Sequence, residues 1–137
     1  MVDTRNLDQV RADIDAIDQE IQALISRRAQ CAQRVAAIKQ AEMLEVHERG
    51  GARVEVVYYR PEREAQVLQR IISRNTGPLD GASMAYIFRE IMSACLALEK
   101  PLQVAYLGPE GTFTHAATIE HFGHAAICVP QGTIDTV

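Results

Sequence analysis

The 137-residue chain is 47% hydrophobic and 23% charged, with a formal net charge of -4, an ordinary balance for one globular core with some chain to spare. That balance excludes a globally basic nucleic-acid surface, so any anion site must come from cations clustered locally. An acidic N-terminus without a signal-peptide apolar segment, no run approaching the roughly 18 apolar residues of a span, and three widely spaced cysteines point to a cytoplasmic protein with reduced thiols and no membrane contact.

From Leu7 the apolar positions run Leu7, Val10, Ile14, Ile17, Ile21, Leu24, Cys31, Val35 and Ile38, at spacings that alternate three and four as in a coiled-coil seam. Asp3 or Thr4 can cap its start, and no Pro or Gly intervenes before Gly50. The pattern predicts one helix from about residue 5 to about 42, roughly 55 Å long. A helix that long must lay its seam on other helices, and a second chain is the natural supplier.

Residues 43–59 break the pattern at Gly50-Gly51, and "RVEVVYY" has the composition of a short strand. A second helix begins at "RPERE", where Pro61 suits the first helical position and Glu62 and Glu64 suit the positive end of the dipole. Glu64, Val67, Leu68, Ile71 and Ile72 share one face. Asp80 can cap a third helix that carries Met84, Ile87, Phe88, Ile91, Cys95 and Leu98 inward, and Pro101 stops it. Residues 103–137 read strand, Gly/Pro loop, helix, strand, the start of an α/β unit too short to bury its own core. The chain is therefore expected to be cut inside a second domain. The three cysteines are expected to be small core residues.

Arg28 occupies a seam position where the pattern calls for an aliphatic side chain. A guanidinium there costs several kcal/mol unless an anion meets it. Lys39, 11 residues on, returns to within about 20° of the same face roughly 16 Å along the axis, so both can reach one small anion. Arg11 lies 17 residues before Arg28, about 25 Å away and turned by roughly 100°, so it can join them only from an antiparallel second copy. The plainer alternative has Arg28 snorkelling to the surface or pairing with Glu64 or Glu99. His115, His121 and His124, near Cys128, have no recognised ligand spacing, so no metal is expected.

"VRADIDAIDQEIQALISRRAQCAQRVAAIKQ", "YRPEREAQVLQRI" and "IFREIMSACLALEK" together resemble the all-helical chorismate mutases, in particular those fused to a prephenate dehydratase. "VAYLGPEGTFTHAA" looks like the opening of the dehydratase domain. The resemblance implies an all-α fold of three helices, the first very long, intertwined with a second copy into a dimer, followed by the first part of an α/β domain. It divides the chain into a mutase domain, 1–102, and a dehydratase fragment, 103–137, from which no dehydratase activity is expected. The implied reaction is the Claisen rearrangement of chorismate to prephenate, without cofactor, in phenylalanine biosynthesis.

Carried over by position, Arg28 and the second subunit's Arg11 would grip the substrate carboxylates, and Lys39 would donate to the ether oxygen and a carboxylate. Glu64 would accept from the ring hydroxyl, and Arg63 would support a carboxylate. Glu99 falls where the family places a second donor to the ether oxygen; it replaces a Gln of some members and must be protonated to donate. Cys95 stands where some members carry a hydroxyl that touches a carboxylate. The stretch between Lys39 and Arg63 is longer than in compact members, and Arg60 replaces an acceptor just before the Arg-Glu pair. The "GPEGTFT" amides and the hydroxyls of Thr112 and Thr114 could receive a carboxylate. Two other functions fit parts of the pattern: an isochorismate-pyruvate lyase of the same fold, and a non-catalytic helical dimerisation module.

Overall fold

A computed structural model describes residues 3–51, 57–100 and 102–137. Helix α1 spans Leu7–Glu48. Its cap is Asn6 rather than Asp3 or Thr4: the Asn6 side chain accepts from the Gln9 amide at 2.9 Å and the Gln9 side chain accepts from the Asn6 amide at 3.0 Å, a reciprocal capping box. Asp3 is instead tied to Arg5. The helix also runs about two turns past the expected end near 42. It stops where Gly50 takes a φ of +79°, a left-handed value that favours glycine. The apolar period lapses after Ile38, but the helix and its half-buried face continue, through Met43 at least.

The predicted strand over Arg53–Tyr59 falls partly on residues 52–56, outside the described residues; the described part, Val57–Tyr59, is not a strand. Helix α2, Pro61–Arg74, starts with Pro61 in its first turn, as expected, and buries Leu68 and Ile71. Ile72, expected on the same face, is exposed. Helix α3, Gly81–Glu99, is capped by Asp80, whose carboxylate accepts from the Ser83 amide at 2.7 Å. α3 packs against both α1 and α2. Its closest-packed residues are Ala85, Ser93 and Cys95, small side chains that let helices approach. Ile87 and Leu98, expected inward, are instead exposed. By length and composition α3 just meets the description of a membrane span, but it carries Arg89 and Glu90 at its middle and packs between two helices.

Ile71 retains only 4% of its surface. Ile71→Ala is therefore expected to destabilise the fold by about 3 kcal/mol through lost transfer and cavity terms, read as a lower midpoint in urea without a changed slope.

The helical part gives way to strand β1, Gln103–Leu107, helix α4, Phe113–Phe122, and strand β2, Ile127–Gln131. The strands pair in parallel with Gln103 opposite Ile127 and Leu107 opposite Gln131, the β-α-β order expected for an α/β unit. Tyr106, 3% exposed, stacks on His115 of α4 with centroids 4.8 Å apart. Cys31 departs from expectation: it is exposed, while Cys95 is buried and Cys128 half-buried, and all three are free thiols.

Among the described residues, little covers the N-terminal half of α1. Leu7, Ile14, Ile17, Ile21 and Leu24 are all exposed. Val10 apart, burial along α1 begins at Arg28 and continues through Ala32, Ala36, Lys39 and Met43, the face that meets α3.

Candidate active site

A cavity of about 360 Å³ opens where α1, α2 and α3 meet. α1 contributes Arg28 and Lys39, α2 contributes Arg63 and Glu64, and α3 contributes Cys95 and Glu99. Six of the seven residues singled out from the sequence thus line one space. The seventh, Arg11, sits on the exposed part of α1 and does not line the cavity within this chain. The start of α2 is fixed by backbone bonds: the amides of Arg63 and Glu64 donate to the Arg60 carbonyl at 3.1 Å each, which presents both side chains in the first turn.

The cations are not consumed by internal pairing. Among the described residues, none of Arg28, Lys39 and Arg63 forms an ion pair with a carboxylate, so the pairing of Arg28 with Glu64 or Glu99 is not seen. Arg28 and Lys39 are both half-buried. Lys39 Nζ donates to the Val57 carbonyl at 3.0 Å and lies 5.7 Å from the centre of the Tyr58 ring. The result is a small, largely apolar-walled space with positive charge at several points and the carboxyls of Glu64 and Glu99 among them. Such a space suits a compact polyanion that can displace the carbonyl from Lys39.

Burial pushes the Glu99 carboxyl above its ordinary value of 4.5, a shift opposed by the charges of Lys39 and Arg28. Glu64 is pushed up too, again first by burial, with His121 and Arg89 opposing. Burial thus favours the neutral form of both carboxyls more than water does.

Sequence reasoning missed Tyr58 and Tyr59, which line the cavity together with Met92 and Leu96. Their β-branched and aromatic neighbours in the sequence read as strand. Their position immediately before the R-P-E-R-E helix start is the signal that could have placed them, since residues leading into a site-bearing first turn must pass its rim. Gln40 holds Tyr58 by donating to its hydroxyl at 3.1 Å. Arg60 turns to Glu62 on the surface while still lining the cavity. Thr112 does not offer its hydroxyl freely: it donates to the Pro109 carbonyl and accepts from the His115 amide, capping α4.

The arrangement of cations on a long helix around a small helical cavity can be compared with known proteins. Residues 10–100 match the family described as chorismate mutase type II. The chain belongs to that family. The matched residues take in nearly all of the three helices that enclose the cavity. The whole chain is 53% identical to the bifunctional chorismate mutase/prephenate dehydratase of Stutzerimonas stutzeri and 52% identical to that of Pseudomonas aeruginosa, covering 36% of each relative. A relative with the same description from Aquifex aeolicus is 40% identical over 135 residues, 96% of this chain and 34% of its own length. The chain thus spans about a third of the length of these curated relatives, and the similarity continues through α4 and β2.

Proposed function

We propose that the chain is a chorismate mutase, an isomerase that converts chorismate to prephenate in the cytoplasm, working as a homodimer without a cofactor. Residues 1–102 form the mutase domain, and residues 103–137 belong to a prephenate dehydratase-like unit that does not turn over by itself. The observation that carries this reading is the convergence of Arg28, Lys39, Arg63, Glu64 and Glu99 on one cavity in a chain of this family. Chorismate is a small dianion whose rearrangement breaks an ether C–O bond and forms a C–C bond within the same molecule. No group is transferred to the protein, so the protein's work is to hold a reactive chair and stabilise charge growing on the ether oxygen.

Arg28 grips one carboxylate, with bidentate geometry available to its guanidinium. The partner's copy of the Arg11 position grips the other. Lys39, released from Val57, donates to the ether oxygen and a carboxylate, while protonated Glu99 donates to the same oxygen from the opposite helix. Glu64 accepts from the ring hydroxyl, Arg63 supports a carboxylate, and Cys95 makes at most a weak contact. The exposed aliphatic row from Leu7 to Leu24 supports a second copy as the partner, because an isolated helix with that row in water has nothing to stabilise it.

Loss of chorismate absorbance, with the product identified as prephenate, tests the reading. Release of pyruvate from isochorismate instead would assign the lyase, and turnover of neither would leave a dimerisation module.

The pH dependence follows from Glu99, which faces Lys39 and Arg28 of α1 and shares its cavity with Arg63 and Glu64 of α2. Its raised pKa means that the donating form persists above the usual carboxyl range and disappears as pH rises through that value. A bound dianion raises it further. Mutase activity is expected to fall with rising pH, and Glu99→Gln, which keeps an uncharged donor, is expected to flatten the profile of kcat/KM. An identical profile in that variant would remove Glu99 from the proton-dependent step.

A further inference from the structure

The C-terminal end of α4 is docked against α3 beside the rim of the cavity. Gly123, at φ +80°, lies so close to Ser93 of α3 that a Cβ would overlap the Ser93 side chain. Just beyond it, the His124 amide donates to Glu90 Oε2 at 3.1 Å and His124 Nδ1 lies 2.9 Å from Glu90 Oε1. Arg89 Nη1 donates to the Glu120 carbonyl at 3.3 Å, a cation at the negative end of a helix. Arg89, Glu90 and Ser93, on one stretch of α3, therefore hold the end of α4 and the two residues that follow it.

This clamp delivers one aromatic ring to the site. Phe122 lies 5.8 Å from the Tyr59 ring at 59°, and His121 meets Phe122 edge-on at 4.7 Å. Tyr59 lines the cavity; Phe122 does not. The strap Val57–Arg60 is tied to α1 by the Lys39–Val57 and Gln40–Tyr58 hydrogen bonds. Lys39 must leave its bond to serve a substrate. The Tyr59–Phe122 packing and the Gln40–Tyr58 bond then hold the strap.

We propose that Phe122, a residue outside the mutase helices, is a positioning residue of the mutase site, holding Tyr59 and the strap over the cavity. The α/β unit thereby supplies part of the mutase wall through α4 and touches no substrate itself. The charges of His121 and Arg89 that act on Glu64 agree with the same placement of α4. The inference rests on the mutase reading of the cavity.

The test measures kcat and KM for chorismate in the 137-residue chain. Phe122→Ala is expected to raise KM about fivefold, with kcat within about twofold, as expected for loss of one aromatic contact that orders a wall. Phe122→Leu, which keeps an apolar side chain of similar reach, is expected to recover most of the loss. Gly123→Ala, which lifts α4 from Ser93, is expected to raise KM in the same way. In a Tyr59→Ala background Phe122→Ala is expected to add nothing, because the contact is already gone. An unchanged KM in both Phe122→Ala and Gly123→Ala, or a full Phe122→Ala effect without Tyr59, overturns the proposal alone. A wild-type chain that does not turn over chorismate overturns the mutase reading and this inference with it.

Discussion

Lys39→Ala is expected to lower kcat/KM for chorismate by roughly 10²–10³-fold, the usual consequence of removing a preorganised donor from a developing oxyanion. The physical reason lies in the position of the ammonium. Lys39 is half-buried on the face of α1 that meets α3, it lines the same cavity as Glu99, and no carboxylate neutralises it among the described residues. Its bond to the Val57 carbonyl is neutral and exchangeable for a charge-assisted one. Thermal unfolding should change little, since a single surface-reaching hydrogen bond contributes on the order of 1 kcal/mol. Near-normal turnover by Lys39→Ala would place the chemistry elsewhere.

The second large effect concerns Arg11. Arg11→Ala and Arg28→Ala are each expected to lose about 10²-fold or more in kcat/KM, as when a desolvated charge partner is removed. Co-refolded in equal amounts, they should recover about a quarter of wild-type activity: half of the dimers are mixed, and each mixed dimer has one site with both arginines intact. That recovery has no explanation if Arg11 serves its own chain. It follows directly if the exposed aliphatic row of α1 seats a second copy whose Arg11 reaches the cavity of the first. Sedimentation of the wild-type chain as a monomer at assay concentration, with full activity, would contradict it.

Much of this was legible in the sequence because it depends on period and spacing. The alternation of three and four from Leu7 to Ile38 specifies a long helix whatever it packs against. Arg28 and Lys39, 11 residues apart, must share a helix face, and they do share a cavity. Pro61 and Asp80 mark helix starts through local backbone chemistry, and both starts are where that chemistry puts them. The end of α1 is not legible in that stripe, because apolar spacing reports packing, whereas a helix continues until a residue such as Gly50 breaks it.

What the sequence determined by itself is local: which segments coil, which faces are apolar, and which cations fall on a common face. The tertiary structure decided everything that depends on the approach of distant segments. Glu99 was pushed toward the neutral carboxyl only when α3 carried it into a partly desolvated cavity, where the charges of Lys39 and Arg28 oppose that shift. Tyr58 and Tyr59 became a wall only when the strap crossed α1. Phe122 reached Tyr59 only because small residues, Ser93 and Gly123, let α4 close on α3. Periodicity encodes direction along one element, while desolvation and contact between elements arise from the packing of side chains far apart in the chain.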